Sequence, residues 1–357
     1  MTLHIFNPEH DIALAAGLSN FTAPHAGRLL RHDLGFLPLI WAQEGDSVLV
    51  DDVEYGKKVS RRFSRTGITL LSPADLKTLE EAEISPWGWD PALRAQLLRK
   101  GVPSALLPTM EQVDGIRQLS HRRTAAALLP HLRVDGTVGE MWECTQAGQI
   151  EALAARYGKL VLKVPWSSSG RGLRFLDAGQ TSIGMHAGWI KNVLAAQGSV
   201  MAEPLYNKVK DFGMEFVSDG NGGVAYLGLS LFHTKNGAYT GNVLATETAK
   251  ELQLTRYLPI TLLRQVQLLI CQHLGRELCG KYKGPFGIDM MVVAKGQTTD
   301  NRQLLLHPCV EINLRRTMGH VAIDLTRRLN PQEDDELVRV MRIAYEENHY
   351  KLKIQRP

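Results

Sequence analysis

A loop rich in small residues lies between two apolar segments at residues 159–175, which read KLVLKVPWSSSGRGLRF. Glycine lets a backbone approach a ligand closely because it has no Cβ, so successive N–H groups of this loop of small residues could surround a polyphosphate. Lys163 and Arg171 place positive charge beside the loop. We therefore predict a phosphate-binding loop made by Lys163, Ser167, Ser168, Ser169, Gly170, Arg171 and Gly172.

The segments on both sides of this loop, LVLKV and LRFL, are predicted to be strands. A P-loop has the pattern GxxxxGK(S/T) and opens a helix, and the GxGxxG loop of dinucleotide-binding folds also opens a helix. The sequence thus predicts a glycine-rich hairpin rather than either of those loops. An ordinary Ser/Gly turn beside a lysine is the alternative.

Acidic and amide side chains in two later apolar segments could bind a metal. Asp289 interrupts FGIDMMVV, and Glu311 and Asn313 lie two residues apart in CVEINLRR, so the latter two share one face of a strand. Such oxygen ligands suit Mg²⁺ bound to phosphates and water, with Mn²⁺ as an alternative. Arg315 could neutralise charge on a transferring phosphoryl group. The alternatives are ion pairs of Asp289 with Lys283 and of Glu311 with an arginine.

A short strand end between these two regions could bind a nucleoside. The segment VMAEPLY at residues 200–206 can offer backbone N–H and C=O groups around Glu203 and Leu205 to an adenine edge. Asp211 could accept hydrogen bonds from ribose hydroxyls. A plain strand that stops at Pro204 explains the segment equally well.

Composition excludes several functional classes. The chain has 357 residues, 44% hydrophobic and 22% charged, which predicts a folded protein of two or three lobes. The net charge of +4 and the lack of a basic tract argue against nucleic acid as a partner. No apolar run is long enough for a membrane span, and the start MTLHIFNPEHD does not resemble a signal peptide. Four scattered cysteines, Cys144, Cys271, Cys279 and Cys309, predict free thiols in the cytoplasm.

The predicted elements change character along the chain. Residues 1–115 alternate strands (3–6, 37–41, 47–50, 68–71) with helices (12–16, 74–82, 87–100), which predicts an α/β lobe. Helices are predicted at 109–119 and 124–132. From residue 159 antiparallel strands dominate (159–164, 172–176, 199–203, 212–218, 224–232, 286–293, 303–312), with a long helix at 261–278. A charged helix is predicted at 334–347.

In their order, these motifs resemble the ATP-grasp superfamily over about residues 119–325. The LSHRR segment is similar to the basic opening of that family, where the resemblance assigns a phosphate contact to Arg122, with Arg123 second. By position, Glu215 competes with Asp211 for the ribose. The residues that the resemblance assigns to ATP are Arg122, Lys163, Glu203, Leu205 and Asp211, those assigned to the metal are Asp289, Glu311 and Asn313, and those assigned to catalysis are Lys163 and Arg315.

The resemblance implies a pre-ATP-grasp α/β lobe (1–115), a two-lobed ATP-grasp domain (116–330, with a lid lobe at about 145–205) and a C-terminal segment (331–357). It implies an ATP- and Mg²⁺-dependent ligase that joins a small-molecule carboxylate to an amine or thiol through an acyl phosphate and releases ADP and phosphate. A homodimer is also expected. A phosphotransferase and a non-catalytic ATP-binding protein are the alternatives.

Substrate contacts are predicted at three residues outside the nucleotide motifs. Glu9 and His10 lie in a polar turn after the first strand, where α/β sheets often meet their substrates. Asn242 ends a segment that loosely resembles a reaction-centre motif of carbamoyl-phosphate-type members. Asp11 is predicted only to cap a helix. Gly287 stands where some peptide-forming members have an arginine, so the resemblance leaves the charge there to Arg315.

Overall fold

The computed structural model describes residues 1–167, 172–179, 183–235, 238–295 and 303–356. The predicted loop residues Ser168, Ser169, Gly170 and Arg171 lie outside the described residues. The strands that are described form four sheets of four strands each. Within these ranges, no helix combines the length and the hydropathy needed to cross a membrane.

The N-terminal lobe is a parallel sheet with helices around it. Its strands lie in the order β3-β2-β1-β4, and all their pairings are parallel. Asp90 begins the last helix of the lobe, since its side chain accepts from the Leu93 N–H at 2.9 Å and Pro91 fits the first helical position. The elements are β1 (Thr2–Ile5), α1 (His10–Ala16), α2 (His25–Leu34), β2 (Ser47–Leu49), α3 (Val53–Ser60), β3 (Thr69–Leu71), β4 (Glu83–Pro86) and α4 (Pro91–Arg99).

The next lobe carries the glycine-rich segment on a small antiparallel sheet. Its strands lie in the order β5-β8-β6-β7, so the hairpin strands β6 and β7 form one edge. Two helices precede this lobe, and two cover it through Ile150 and Ile190. The elements are α5 (Met110–Leu119), α6 (Arg123–Leu128), β5 (Trp142–Cys144), α7 (Ala147–Tyr157), β6 (Lys159–Lys163), β7 (Leu173–Asp177), α8 (Ala187–Gln197) and β8 (Val200–Pro204).

A third sheet, in the order β10-β9-β13-β14, forms the centre of the molecule. Phe212, Phe216 and Phe286 are fully buried against the long helix α10, and the last two rings stack at 5.2 Å. The elements are β9 (Lys208–Ser218), β10 (Val224–Ser230), β11 (Phe232–Lys235), β12 (Ala238–Leu244), α9 (Glu247–Leu254), α10 (Ile260–Leu278), β13 (Gly284–Lys295), β14 (Gln303–Asn313), α11 (Met318–Leu329), β15 (Arg339–Glu346) and β16 (His349–Gln355).

The predicted charged helix at 334–347 is wrong. β15 and β16 form a hairpin that extends the fourth sheet, in the order β11-β12-β15-β16. Glu347 and Asn348 both have positive φ, 54° and 63°, as a two-residue type I′ turn requires. Met341 and Leu352 are buried against the N-terminal lobe, so alternation at period two decides the structure here.

Two N-terminal predictions are also wrong. Residues Leu37–Ile40 form a 3₁₀ helix instead of a strand, because Pro38 fixes φ and cannot donate to a sheet. The predicted helix at 74–82 is a short 3₁₀ turn, Asp75–Thr78, which leads into the unpredicted strand β4. The remaining strands and the long helix lie close to their predicted positions. The domain boundaries stay predictions.

Candidate active site

Two adjacent strands bring the predicted metal ligands together. Asp289 on β13 lies directly opposite Glu311 on β14, and Gly287 lies opposite Asn313. The Asn313 side-chain amide donates to Asp289 Oδ2 at 3.3 Å. The side chains of Asp289, Glu311 and Asn313 therefore form one row, here called the acidic row, at the end of an otherwise apolar pair of strands.

This row holds more negative charge than its surroundings favour. Burial raises the pKa of Asp289 to about 7, and the neighbouring carboxylates of Glu311 and Glu215 add to the increase. The alternative partner Lys283 is wrong, because it pairs with Glu83 at 2.8 Å. Asp289 is therefore a carboxyl group whose charge has no lysine to balance it within the described residues.

Arg122 joins this row to the glycine-rich segment. Its guanidinium donates to Glu311 Oε1 at 2.7 Å, and on the other side to the Val164 carbonyl at 2.5 Å and Ser167 Oγ at 3.0 Å. Arg122 is 5% exposed, whereas Arg123 lies largely in solvent, 3.7 Å from Glu143. The ion pair of Glu311 with an arginine, which the sequence left open, is thus present.

Lys163 and Glu203 form a buried ion pair between strands β6 and β8. Their side chains meet at 2.7 Å and are 6% and 5% exposed. The other carboxylate oxygen of Glu203 is buried and has no hydrogen-bond partner among the described residues. A buried acceptor of this kind is unfavourable unless a ligand or solvent donates to it.

The two groups of charges lie within electrostatic range of one another. The thiol of Cys309, on β14 two residues before Glu311, is fully buried. Its pKa is raised by burial and by Asp289, with smaller influences from Lys163, Glu311 and Glu203. The lysine–glutamate pair and the acidic row therefore both influence the same buried thiol.

Arg315 is held by a residue of the N-terminal lobe. Its guanidinium donates to both carboxylate oxygens of Asp11, at 2.7 and 2.8 Å, and to Asn313 Oδ1 at 2.9 Å. Although burial opposes it, this pairing holds the pKa of Asp11 below its usual value. The prediction that Asp11 caps a helix is wrong, since helix α1 is preceded by Glu9 and has no side-chain cap.

Glu215 occupies the space above Gly287. A Cβ on Gly287 would lie 2.5 Å from Glu215 Oε2 and 2.9 Å from Thr317 Cγ2, so no larger residue fits. Glu215 is itself 4% exposed, and its Oε2 lies 3.0 Å from His320 Nδ1. Because that nitrogen accepts from the Thr317 N–H, Glu215 Oε2 has no hydrogen-bond partner among the described residues. The arginine that some peptide-forming members have at this position would collide with this carboxylate.

The residues predicted to bind the nucleoside lie near the rim. Leu205 is 41% exposed, but its backbone N–H already donates to the Lys159 carbonyl at 3.0 Å. Asp211 accepts from Lys208 at 2.7 Å and from Thr234 at 3.3 Å. The Leu205 N–H is therefore not available to adenine as predicted, whereas Asp211 is half-buried and accessible.

Gly172, the last residue of the predicted phosphate loop, has φ 76°. A Cβ there would lie 2.5 Å from Val164 Cγ2. Both constraints require glycine at this position.

The predicted substrate residues separate into different cavities. His10 lines a small cavity with Asp11, Glu311 and Arg315. Asn242 lines a cavity of about 260 Å³ that also contains the acidic row, and its amide donates to Ser230 Oγ at 3.0 Å. Glu9 faces another cleft, where it accepts from Arg31 at 3.0 Å.

No protein-family model matches the chain, and no curated protein matches it in sequence. Solved structures do match in fold. Biotin carboxylase from Campylobacter jejuni in complex with ATP has a TM-score of 0.54 at 12% identity, over 96% of this chain and 75% of that one. Phosphoribosylamine–glycine ligase from Thermotoga maritima has a TM-score of 0.52 at 12% identity, over 96% and 80%. N5-carboxyaminoimidazole synthetase from Staphylococcus aureus with ADP has 0.50 at 14%, over 97% and 83%.

These three enzymes are ATP-grasp proteins, and the similarity extends over nearly the whole of this chain. The chain has the ATP-grasp fold. The predicted fold class, α/β plus α+β, is confirmed.

The acidic row fits a hard cation only in combination with phosphate oxygens. Among the described residues, no group of three His, Cys, Asp or Glu side chains is placed to hold a metal. Asp289 and Glu311 supply two carboxylates and Asn313 one amide oxygen. Mg²⁺ commonly takes one or two carboxylates and completes its shell with phosphates and water, so this donor set fits the ion when phosphates are present.

Sequence reasoning missed two residues of this candidate site. Asp11, the partner of Arg315, was assigned a helix cap although it lies in the polar turn NPEHD directly after the first strand. Glu215 was considered only for the ribose. Its place beside Asp289 follows from the pairing of β9 with β13, in which Glu215 lies opposite Gly287. The alternating pattern of β9 could have indicated that it faces inward.

Proposed function

We propose that this chain is an ATP-dependent ligase that joins a small-molecule carboxylate to an amine or thiol. ATP phosphorylates the carboxylate, the nucleophile displaces phosphate from the acyl phosphate, and ADP and phosphate leave. The proposal is supported mainly by one observation. Arg122 contacts both the acidic row, at Glu311, and the strand end that carries Lys163, at Val164, so cations and acids converge where a triphosphate would lie.

Each side chain then has a defined task. Lys163 and Arg122 neutralise the phosphate oxygens, and the unpartnered Glu203 oxygen accepts from the adenine amino group. Asp211 accepts from the ribose. Asp289, Glu311 and Asn313 would hold Mg²⁺, which would supply positive charge to the phosphates.

Arg315 stabilises the charge of the transferring phosphoryl group, and Asp11 fixes its orientation. The protein supplies alignment and charge, and no protein nucleophile is needed. Two expectations remain part of this proposal: a cytoplasmic location, for which four free thiols are suitable, and a homodimer.

The test is to trap the acyl phosphate. The protein is incubated with MgATP, pools of carboxylic acids and hydroxylamine, and both ADP and hydroxamate are measured. We expect carboxylate-dependent ADP release with an equal amount of hydroxamate. Glu311→Gln should abolish both products, because the isosteric amide removes a negative metal ligand, whereas the exposed Glu346→Gln should not change them.

Two other outcomes would replace the proposal. ADP release that depends on a hydroxyl acceptor and gives no hydroxamate would identify a phosphotransferase. MgATP binding without ADP release in any pool would identify a non-catalytic binding protein.

A further inference from the structure

A second cleft, of about 530 Å³, opens in the N-terminal lobe. It lies at the carboxyl edge of the parallel sheet, where Leu49 ends β2 and Pro73 follows β3. Open α/β sheets bind small molecules at this edge, because the loops there leave a crevice. None of the nucleotide motifs contributes to this cleft, and Glu9 is its single residue among the predicted site residues.

Basic side chains predominate in the cleft. Arg28, Arg31, Arg99 and Lys100 line it, against the two carboxylates of Glu9 and Asp51. Arg31 serves both carboxylates, at 3.0 and 3.9 Å. Within the described ranges, the other three cations have no ion-pair partner. The cleft therefore has an excess of positive charge that a ligand could balance.

The remaining wall of the cleft is apolar, with one buried acid. Leu49, Leu76, Leu93 and Leu97 are buried behind it. Burial raises the pKa of Glu9, whose second carboxylate oxygen is enclosed and has no hydrogen-bond partner in the part of the chain described. A cleft with a few convergent polar groups on an apolar wall is typical of small-molecule sites.

We propose that this cleft binds a small organic anion, a carboxylate or a phosphate monoester with an apolar body. The anionic group lies between Arg28, Arg99 and Lys100, and the apolar body rests on the leucines. The inference that the cleft binds an anion does not depend on the proposed function. The inference that this anion is a substrate rests on the proposed function.

The position of helix α1 supports the link between the cleft and the reaction centre. Glu9 faces the cleft, while Asp11, two residues later, holds Arg315 in the other site. Less than one turn of helix therefore separates the wall of the cleft at Glu9 from the wall of the reaction centre at Asp11. A substrate anchored by its anionic end in the cleft could present its other end towards Arg315.

The test measures binding of phenyl phosphate and 4-phenylbutyrate to the full chain without nucleotide, by saturation-transfer NMR and calorimetry. The matched neutral probes are benzyl alcohol and 4-phenylbutyramide. We expect at least one anion to bind and its neutral match to bind about tenfold or more weakly, because a charge-assisted contact is lost. The anion that binds distinguishes a carboxylate site from a phosphate site.

Substitution then locates the site. The double variant Arg28→Gln, Lys100→Gln should bind the anion about tenfold or more weakly. The control Lys281→Gln, which removes an exposed cation elsewhere, should not change the binding. Hydrogen exchange should show protection at residues 20–31 and 93–100. If neither anion binds, or if the double variant binds as tightly as the wild type, the proposal is overturned. Lys163→Met should leave anion binding intact, so failure of the nucleotide site is distinguishable.

Discussion

The pair Asp11–Arg315 connects the N-terminal lobe to the acidic row, and its strength can be measured without knowing the substrate. Asp11→Asn keeps the shape of the side chain and removes its charge, and Arg315→Gln replaces the guanidinium with a shorter, neutral amide. The two groups are 21% and 17% exposed and share two hydrogen bonds. The exposure of this ion pair is intermediate between that of surface pairs, which contribute about 0–1 kcal/mol to stability, and that of buried pairs, whose disruption costs about 3–5 kcal/mol. We expect a coupling energy of about 1–3 kcal/mol.

The assay is a double-mutant cycle in urea. Unfolding of the wild type, both single variants and the double variant gives four free energies, and the cycle cancels the Arg315–Asn313 contact, which both Arg315 variants lose alike. The exposed pair Glu277–Lys281 is the control, with an expected coupling of at most about 0.5 kcal/mol. A coupling of Asp11 with Arg315 below about 0.3 kcal/mol would refute the reasoning.

Three further predictions follow from individual side chains. Burial and Glu311 raise the pKa of Asp289 to about 7, so the folded protein binds a proton at this carboxyl group more tightly than the unfolded chain does. The resulting stabilisation should be complete below about pH 4 and should be lost as the pH rises through 7. Asp289→Asn should remove that part of the pH dependence of urea unfolding. Lys163→Met should weaken MgATP binding about tenfold or more in calorimetry, because it removes the positive charge that the proposed function places against the phosphates. Cys279, which is exposed, should react with a thiol reagent far faster than Cys309, whose pKa is raised by burial and by Asp289, as mass spectrometry of partly labelled protein would show.

Each of these has a matched comparison. Lys159 lies on the same strand as Lys163 but is 58% exposed and pairs with Asp177, so Lys159→Met should bind MgATP normally. Equal losses in both lysine variants would contradict the assignment of Lys163. An unchanged pH dependence in Asp289→Asn would show that its carboxyl group titrates normally. Rapid labelling of Cys309 in the folded protein would be inconsistent with its burial.

The fold was predictable where hydrophobic periodicity is strong. The strands around Lys163, Asp289 and Glu311 were located within one or two residues, because apolar runs interrupted by a polar residue are distinctive. The C-terminal hairpin was not, since its charged, alternating residues also suit an exposed helix. Burial of Met341 against the N-terminal lobe decides between the two, and that contact cannot be seen in the local sequence.

The site was predictable in its members and less so in their pairing. The sequence assigned Lys163 and Arg315 to the phosphates, Glu311 to the metal and Glu203 to adenine, and in the structure Arg122 joins Glu311 to the strand end next to Lys163. It did not indicate that Lys163 would pair with Glu203, or Arg315 with Asp11. Such partners lie 40 to 304 residues apart, and only the tertiary fold determines which opposite charges meet.

The balance of charges explains why so many ion pairs surround this site. Arg122 pairs with Glu311 and Lys163 pairs with Glu203, so the cations that the proposed function assigns to the phosphates are held by acids of the same site. Asp289 has no ion-pair partner among the described residues, and its pKa is raised by burial and its acidic neighbours although Arg315 opposes the increase. A buried acid left in this condition lowers stability, and such arrangements concentrate at functional sites. In the proposed function, Asp289 and Glu311 would hold a divalent cation, whose positive charge would offset the repulsion between the two carboxylates.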